Sequence, residues 1–418
     1  MYLKIHRGTK QIGGNIVEIG TQKTRLIFDC GTNLPPVDQA QVPDNIQIEG
    51  LTFGKPTYNA VFISHYHNDH CGLLSRILPG IPVYAGDTTR KVLEVISDFT
   101  DSPKPNIRCK FHDRIPLEFA DIRVTPIGVP HSAADAYMFL IQGDGKNILY
   151  TGDYKTPALI DEKVRRCLKI AGNLDVMISE GTNIACSRSN LKGTIRDESQ
   201  LEIAVATAMK KYKGDVFVLC SSTNIDRVGA IYNACKKTGR LMAEDLFLSS
   251  ITDCIDATAP SPFNQQNILG FIARYVTKER HPRQFYYLEK HHADFISAKQ
   301  LAEIKNKVVF IRTSMIPLLN RLKRYSTLQD NVLIYSMWDG YRQKEDVKKL
   351  LSHCTENGIA VETAHVSGHV YRQELQKFIN TLQPKILVPI HCEEQERNEF
   401  LKLYDKCRML NDDEIFEV

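Results

Sequence analysis

Between residues 64 and 72 the chain reads Ser64-His65-Tyr66-His67-Asn68-Asp69-His70-Cys71-Gly72, directly after the apolar run Ala60 to Ile63. Three histidines and one aspartate sit within six residues, and that density of ligand side chains is chemistry, not packing. At the extended period of two, His65 and His67 point to the same side and can share one cation. Asp69 and His70 lie beyond a turn and can face a second. A binuclear centre needs more ligands than one loop supplies, so the rest of the chain has to deliver them from strand ends.

Short apolar runs recur, each followed by a polar or glycine-containing turn and then an amphipathic stretch, the pattern of a mixed α/β protein. Strands are expected at Arg25 to Phe28, Ala60 to Ile63, Asn147 to Thr151, Val176 to Ser179, Val216 to Cys220, Val308 to Ile311, Val332 to Tyr335 and Ile386 to Ile390. Nearly every unusual polar residue falls just after one of these, where a strand anchors a loop that reaches a ligand. His131 follows Val129-Pro130, Asp153 ends Tyr150-Thr151-Gly152-Asp153, and His391 closes the last run. A carboxylate placed like that of Asp153 can bridge two cations.

With 418 residues the chain has room for two to three domains, and 43% hydrophobic with 24% charged residues describes a globular protein. No apolar run approaches the roughly 18 residues of a membrane span. The N-terminus lacks a secretory layout, and eleven cysteines without a Cys-x-x-Cys pair suggest reduced thiols, so a cytoplasmic protein with no membrane partner is expected. The net charge of +4 is a weak pointer to an anionic partner. The middle third, roughly Asp197 to Leu351, reads as its own α/β unit: a helix from Glu198 to Lys213, a strand, a helix near Arg227 to Thr238, and a proline-containing loop from Ala257 to Gln266. Lys278 to Tyr287 mixes cations with aromatics, as single-strand binding requires, but a solvated helix with tyrosines tucked into the core explains it better. Arg321 to Arg324 reads as a solvated helix face.

These motifs, in this order, resemble the metallo-β-lactamase superfamily, with Asp29 in Leu26-Ile27-Phe28-Asp29-Cys30-Gly31 as the aspartate that orients the histidine loop. The resemblance implies a four-layer αββα sandwich. It places His65, His67 and His131 on one metal, Asp69, His70 and His391 on the other, and Asp153 between them. Two divalent ions are implied, zinc first and manganese as the alternative.

More than two hundred residues separate Asp153 from His391, and this gap resembles the β-CASP insertion of nucleases that process RNA and, in some branches, DNA. Glu180 in Ile178-Ser179-Glu180-Gly181-Thr182, His369 in His365-Val366-Ser367-Gly368-His369, Pro389-Ile390-His391-Cys392-Glu393 and Ser221 to Arg227 extend the similarity over almost the whole chain, nearest to the ribonuclease J group. The division implied is 1-195 for the first part of the metallo-β-lactamase domain, 196-355 for the β-CASP insertion and 356-418 for the returning part. Hydrolysis of single-stranded RNA is the implied activity, with His369, Glu180 and Asp69 catalytic and His365 and Ser367 against substrate phosphate. A small-molecule hydrolase of the same fold, a DNA-directed nuclease and a non-catalytic RNA-binding subunit are the competing readings.

Three departures stand out. Cys392 replaces a usual glycine, Arg312-Thr313-Ser314-Met315 stands where a glycine-rich turn is expected, and the chain runs only to Val418, so the C-terminal domain of ribonuclease J is not expected.

Overall fold

A computed structural model describes residues 1–34, 44–155, 162, 166, 172–186, 195–255, 259–291 and 295–418. Two sheets face each other. The first has seven strands in the order Ile415–Glu417, Tyr2–Arg7, Ile16–Gly20, Arg25–Phe28, Ala60–Phe62, Val83–Ala85, Cys109–Lys110. The second has six, in the order Ile386–Ile390, Val176–Glu180, Lys146–Tyr150, Ala136–Gly143, Ile122–Val129, Leu117–Phe119. Alternation along each strand sends one set of side chains between the sheets. Leu3, Val17, Leu26, Phe28 and Phe62 of the first meet Val124, Phe139, Ile148, Tyr150, Ile178 and Val388 of the second.

The outer faces carry helices. Ile27, Val61 and Val83 pack under the helix Asp87–Thr100 through Val92 and Val95, while Met138, Leu149, Met177 and Leu387 pack under Arg372–Leu382 through Leu375, Phe378 and Ile379. The result is the αββα sandwich, with alternate residues of the same strand serving the central and the outer core.

Between Val176–Glu180 and Ile386–Ile390, parallel neighbours in the second sheet, the chain leaves to build a third. This sheet is wholly parallel, in the order Ile268–Phe271, Met242–Asp245, Val308–Ile311, Val216–Leu219, Val332–Tyr335, Ala360–Thr363. Its strands are apolar on both faces because helices cover both, with Val216 and Val218 on one side and Phe217 and Leu219 on the other. Ala360–Thr363 extends this sheet past residue 355, where the sequence reading ends the insertion. That edge strand is only half-buried, and two of its four residues, Glu362 and Thr363, are polar, so its apolar run is too short to stand out.

The helix expected over 198–213 runs from Glu198 to Lys211, capped by the Asp197 side chain, and its successor starts at Ile225 with Asn224 as cap. Of the expected loop at 257–266, residues 257 and 258 lie outside the described residues, and the remainder holds no helix or strand. Tyr287 is buried and donates to Asp98 Oδ2 at 2.9 Å, so the mixed basic and aromatic stretch docks the helix Pro282–His291 onto Asp87–Thr100. Every described cysteine is free, and no helix among the described residues is long and apolar enough to cross a membrane.

Candidate metal centre

Strand ends of both sandwich sheets deliver the polar residues to one edge. After Arg25–Phe28 the backbone turns left-handed at Asp29, φ 62°, and the fully buried carboxylate collects four donors. Ser64 N and Ser64 Oγ reach it at 2.7 and 2.8 Å, Tyr150 OH at 2.6 Å, and His70 Nδ1 at 2.7 Å. Holding His70 through Nδ1 leaves Nε2 as its ligating nitrogen.

The extended residues His65 and His67 precede a one-turn helix, Asn68–Cys71, which swings Asp69 and His70 away from them. His131 donates Nδ1–H to the Gly368 carbonyl at 2.8 Å, freeing Nε2. Its Nε2 lies 3.3 Å from His67 Nδ1, which is 3.0 Å from His65 Nε2. A second group forms around Asp153 Oδ2, with His70 Nε2 at 3.1 Å and His391 Nε2 at 3.7 Å. Asp69 Oδ2 approaches the same His391 nitrogen at 3.2 Å. His65 Nε2 lies 3.9 Å from Asp153 Oδ2, so that carboxylate stands between the two groups. Within each group the ligand atoms all lie within 4.8 Å of one another.

Two observations test whether these residues suit cations. Asp153 Oδ1 is buried without any hydrogen-bond partner, and buried His70 Nε2 meets only the other oxygen of the same carboxylate, a costly state in a protein interior unless a ligand completes it. The electrostatics agree. Burial, and then the neighbouring histidines, hold His65 well below the usual imidazole range, and burial does the same to His131 and takes His67 to about 4. Neutral imidazoles are what a divalent metal needs in the first group, while in the second burial lowers His70 but the Asp153, Asp29 and Asp69 carboxylates outweigh it and hold that imidazole well above its usual range, a concentration of negative charge that suits a cation. Burial acts against ionisation of Asp153, but His391, His70 and His369 keep it well below the usual carboxylate range.

A third group adjoins the second. Glu180, fully buried at the end of Val176–Glu180, takes Tyr154 N on Oε1 at 3.1 Å and Thr182 N on Oε2 at 3.3 Å. Its Oε2 lies 3.0 Å from His369 Nδ1, and Asp153 Oδ2 lies 3.6 Å from the same nitrogen. Burial lowers His369, but Glu180 and Asp153 outweigh it and raise the imidazole to about 9. His369 does not cap the next helix, whose N-cap is Tyr371. Ser367 and His369 line a cavity of about 210 Å³ with Lys155 and Arg196, and Ser367 Oγ accepts from Asn183 at 2.9 Å. His365 is not among the residues lining that cavity, and burial, then Arg227, lowers it to about 4.

Sequence spacing missed the residues that aim the ligands. Thr182 Oγ1 meets His391 Nδ1 at 2.8 Å and the Gly368 carbonyl holds His131, while Tyr150 and Ser64 fix the Asp29 carboxylate that in turn holds His70. None belongs to a ligand-type pattern. Cys392 is accommodated because glycine faces it: a Cβ at Gly181 would stand 3.0 Å from that of Cys392 and 2.5 Å from the Phe400 ring.

Comparison with known proteins follows the same lines. Residues 24–208 match the beta-lactamase superfamily domain, and residues 359–406 match the Zn-dependent metallo-hydrolase RNA specificity domain. The chain is 25% identical to ribonuclease J of Sinorhizobium meliloti, with 92% of this chain and 68% of that protein covered. It is 24% identical to ribonuclease J of Mycoplasma genitalium, covering 97% and 70%, and 24% identical to that of Helicobacter pylori strain B128, covering 92% and 55%. A crystal structure of a protein of unknown function from Enterococcus faecalis V583 superposes with a TM-score of 0.76 at 18% identity over 99% of both chains, a likeness of fold. The ligand-bearing strand ends, the inserted parallel sheet and these matches agree: the chain has the metallo-β-lactamase fold with a β-CASP insertion and is ribonuclease J-like.

Proposed function

We propose that this chain is a metal-dependent ribonuclease that hydrolyses phosphodiester bonds of single-stranded RNA in the cytoplasm. The observation that carries the reading is the convergence of His65, His67 and His131 beside Asp69, His70 and His391, with Asp153 between, at an edge where the inserted unit meets the sandwich. Residues 1-195 and 356-418 form the metallo-β-lactamase part in this reading, and 196-355 the β-CASP insertion, to whose sheet the returning chain adds the edge strand Ala360–Thr363. The first three histidines would hold one cation and the second trio another, zinc or manganese. Such cations supply Lewis acidity toward water and toward the phosphoryl oxygens.

The chain's own residues handle protons and position. Asp69 lies on the open side of the centre, its side chain 13% exposed against 1% for Asp153, and takes the proton that the attacking water gives up. A new P–O bond forms as the bond to the ribose oxygen breaks. That oxygen leaves poorly as an alkoxide, so a proton delivered at the moment of cleavage accelerates the step. Glu180 grips Nδ1 of His369, leaving Nε2 as the donor to the leaving oxygen. In this reading Ser367, on the cavity beside His369, offers its hydroxyl to a substrate phosphate, together with His365 two residues before it.

The deciding experiment incubates the protein with 5'-labelled and 3'-labelled single-stranded RNA, each with a 5' phosphate or hydroxyl, with manganese or zinc added. Metal-dependent shortening of the RNA is expected, and the ladder pattern separates internal from terminal cutting. Absence of cleavage by folded, metal-loaded protein under all these conditions refutes the reading.

A further inference from the structure

The parallel strands of the inserted sheet end in loops that reach the metal cleft. Tyr66, between the two ligand histidines, donates its hydroxyl to the Thr223 carbonyl at 2.9 Å. Fully buried Arg227 donates to the Ser336 carbonyl at 2.9 Å and to the Val366 carbonyl at 3.0 Å, tying the end of Val332–Tyr335 to the segment that leads into His369. Ligands of parallel sheets collect at this end of the strands.

Immediately beyond the Val332–Tyr335 strand end stands Trp338, the single tryptophan of the chain, 55% exposed. An indole is the most expensive side chain to leave in water and is ordinarily spent on a contact. This one is held in place. A Cβ on Gly340 would fall 2.2 and 2.3 Å from indole atoms Cζ3 and Cη2, so the ring rests against a position that only glycine leaves open. Tyr341 stands edge-on to it, ring centres 5.4 Å apart at 90°. The Trp338 carbonyl accepts from Tyr335 OH at 3.0 Å and from Tyr341 N at 3.1 Å. Cations flank the pair, with the Arg342 guanidinium 4.0 Å over the Tyr335 ring and the Lys344 ammonium 4.1 Å over the Tyr341 ring. The loop also lies within the field of the centre: after burial itself, the Asp69 carboxylate pushes the Tyr341 hydroxyl up.

We propose that Trp338, seated on Gly340 and buttressed by Tyr341, is a stacking platform for one unpaired base of the RNA strand in the cleft. The proposal rests on the ribonuclease reading and names how that site holds its substrate. Every base has a flat face, so stacking tolerates any sequence but requires that the base be free of a partner. Lys344 supplies positive charge for a neighbouring phosphate, while Arg342 is held by Asp339 at 2.6 Å and by Thr363 Oγ1 at 2.6 Å and braces the loop.

Because Trp338 is the only tryptophan, its emission reports the platform directly. The metal-loaded protein is titrated with a cleavage-resistant phosphorothioate single-stranded RNA while RNA anisotropy is followed in parallel. Emission should change saturably at the concentrations that saturate anisotropy, and a duplex of the same sequence should leave it unchanged. Trp338→Ala should weaken RNA binding about tenfold, Trp338→Phe by less than about threefold. Gly340→Ala keeps the indole but displaces it, and should weaken binding nearly as much as Trp338→Ala. Hydrolysis of bis(p-nitrophenyl) phosphate, which carries no nucleobase to stack, should stay at parental rate in all three and exclude a folding defect. Unchanged emission at saturating RNA, or parental affinity in Trp338→Ala, overturns the platform while RNA cleavage by the parent leaves the ribonuclease reading standing. Emission that follows protein concentration and ignores RNA would instead mark a surface between protein copies and also overturn it. A parent that hydrolyses the small ester yet neither binds nor cuts RNA removes both.

Discussion

Glu180 and His369, 189 residues apart, meet at 3.0 Å between Oε2 and Nδ1, on the flank of a centre whose nearest carboxylate is Asp153. Glu180 is itself pinned by the Tyr154 and Thr182 amides, so the imidazole is aimed by backbone rather than by a flexible partner. His369→Ala should therefore keep metal content and RNA affinity while cleavage falls by about 10²- to 10⁴-fold. An RNA with a thiolate leaving group, which needs no proton, should recover much of that loss. Loss of metal in the variant, or no rescue, would assign the histidine to the metal centre or the scaffold.

Metal content separates the ligand set from its supports. Analysis of the replete protein should approach two ions per chain, and Asp153→Ala should disturb both positions and abolish hydrolysis, since its carboxylate stands between the two groups. Asp29 touches no cation in this arrangement, yet it fixes His70 through Nδ1. Asp29→Ala should weaken metal affinity by about 10- to 100-fold, read by competition with a chelator.

Strandedness and salt test the cleft. Single-stranded RNA should be cut faster than a duplex of equal length. Affinity should fall with salt, with a slope of about −0.7 in log–log form for each phosphate contacted. Equal rates on both forms would count against a cleft that admits one strand.

Arg227 is fully buried and spends its guanidinium on Glu198, Ser336 and Val366. Removing it strands the Ser336 and Val366 carbonyls at the junction of the inserted sheet and the returning chain. Arg227→Ala should cost about 3 kcal/mol in urea unfolding. A loss below about 1 kcal/mol would show that water satisfies those groups instead.

Acid stability has an identifiable source far from the centre. Burial disfavours the charged form of Glu18, but hydrogen bonds from His6, Arg25 and Tyr2 outweigh it and hold the carboxyl well below its usual value near 4.5. The folded chain thus keeps this group ionised where the unfolded chain binds a proton, so its contribution is complete above about pH 5 and drains away as pH falls. Glu18→Gln should lower Tm at pH 7 and flatten its decline between about pH 5 and pH 3. A parallel downward shift at every pH would mean that the charge itself contributes nothing.

How much of this was legible beforehand differs by residue. His65, His67, Asp69 and His70 announce themselves because ligand chemistry demands rare residue types at short spacing, and a strand followed by a turn already splits them into two directions. Strands such as Val216–Leu219 and Val332–Tyr335 were equally plain, since burial on both faces writes a continuous apolar run. Tyr2–Arg7, Ile16–Gly20 and Ala360–Thr363 stood out less, because charged residues interrupt their short apolar patterns and pairing with neighbouring strands completes them. Likewise Thr182, Ser64, Tyr150 and the Gly368 carbonyl acquire their orienting roles only when distant segments meet. Local sequence determined which residues could ligate and roughly where the chain must be extended. Which nitrogen each imidazole offers, that Asp153 lies between two groups and that Glu180 faces His369 were decided by tertiary structure. Each of these is a contact across tens to hundreds of residues, and the pairing of such contacts is set by sheet register and packing, which no short window of sequence contains.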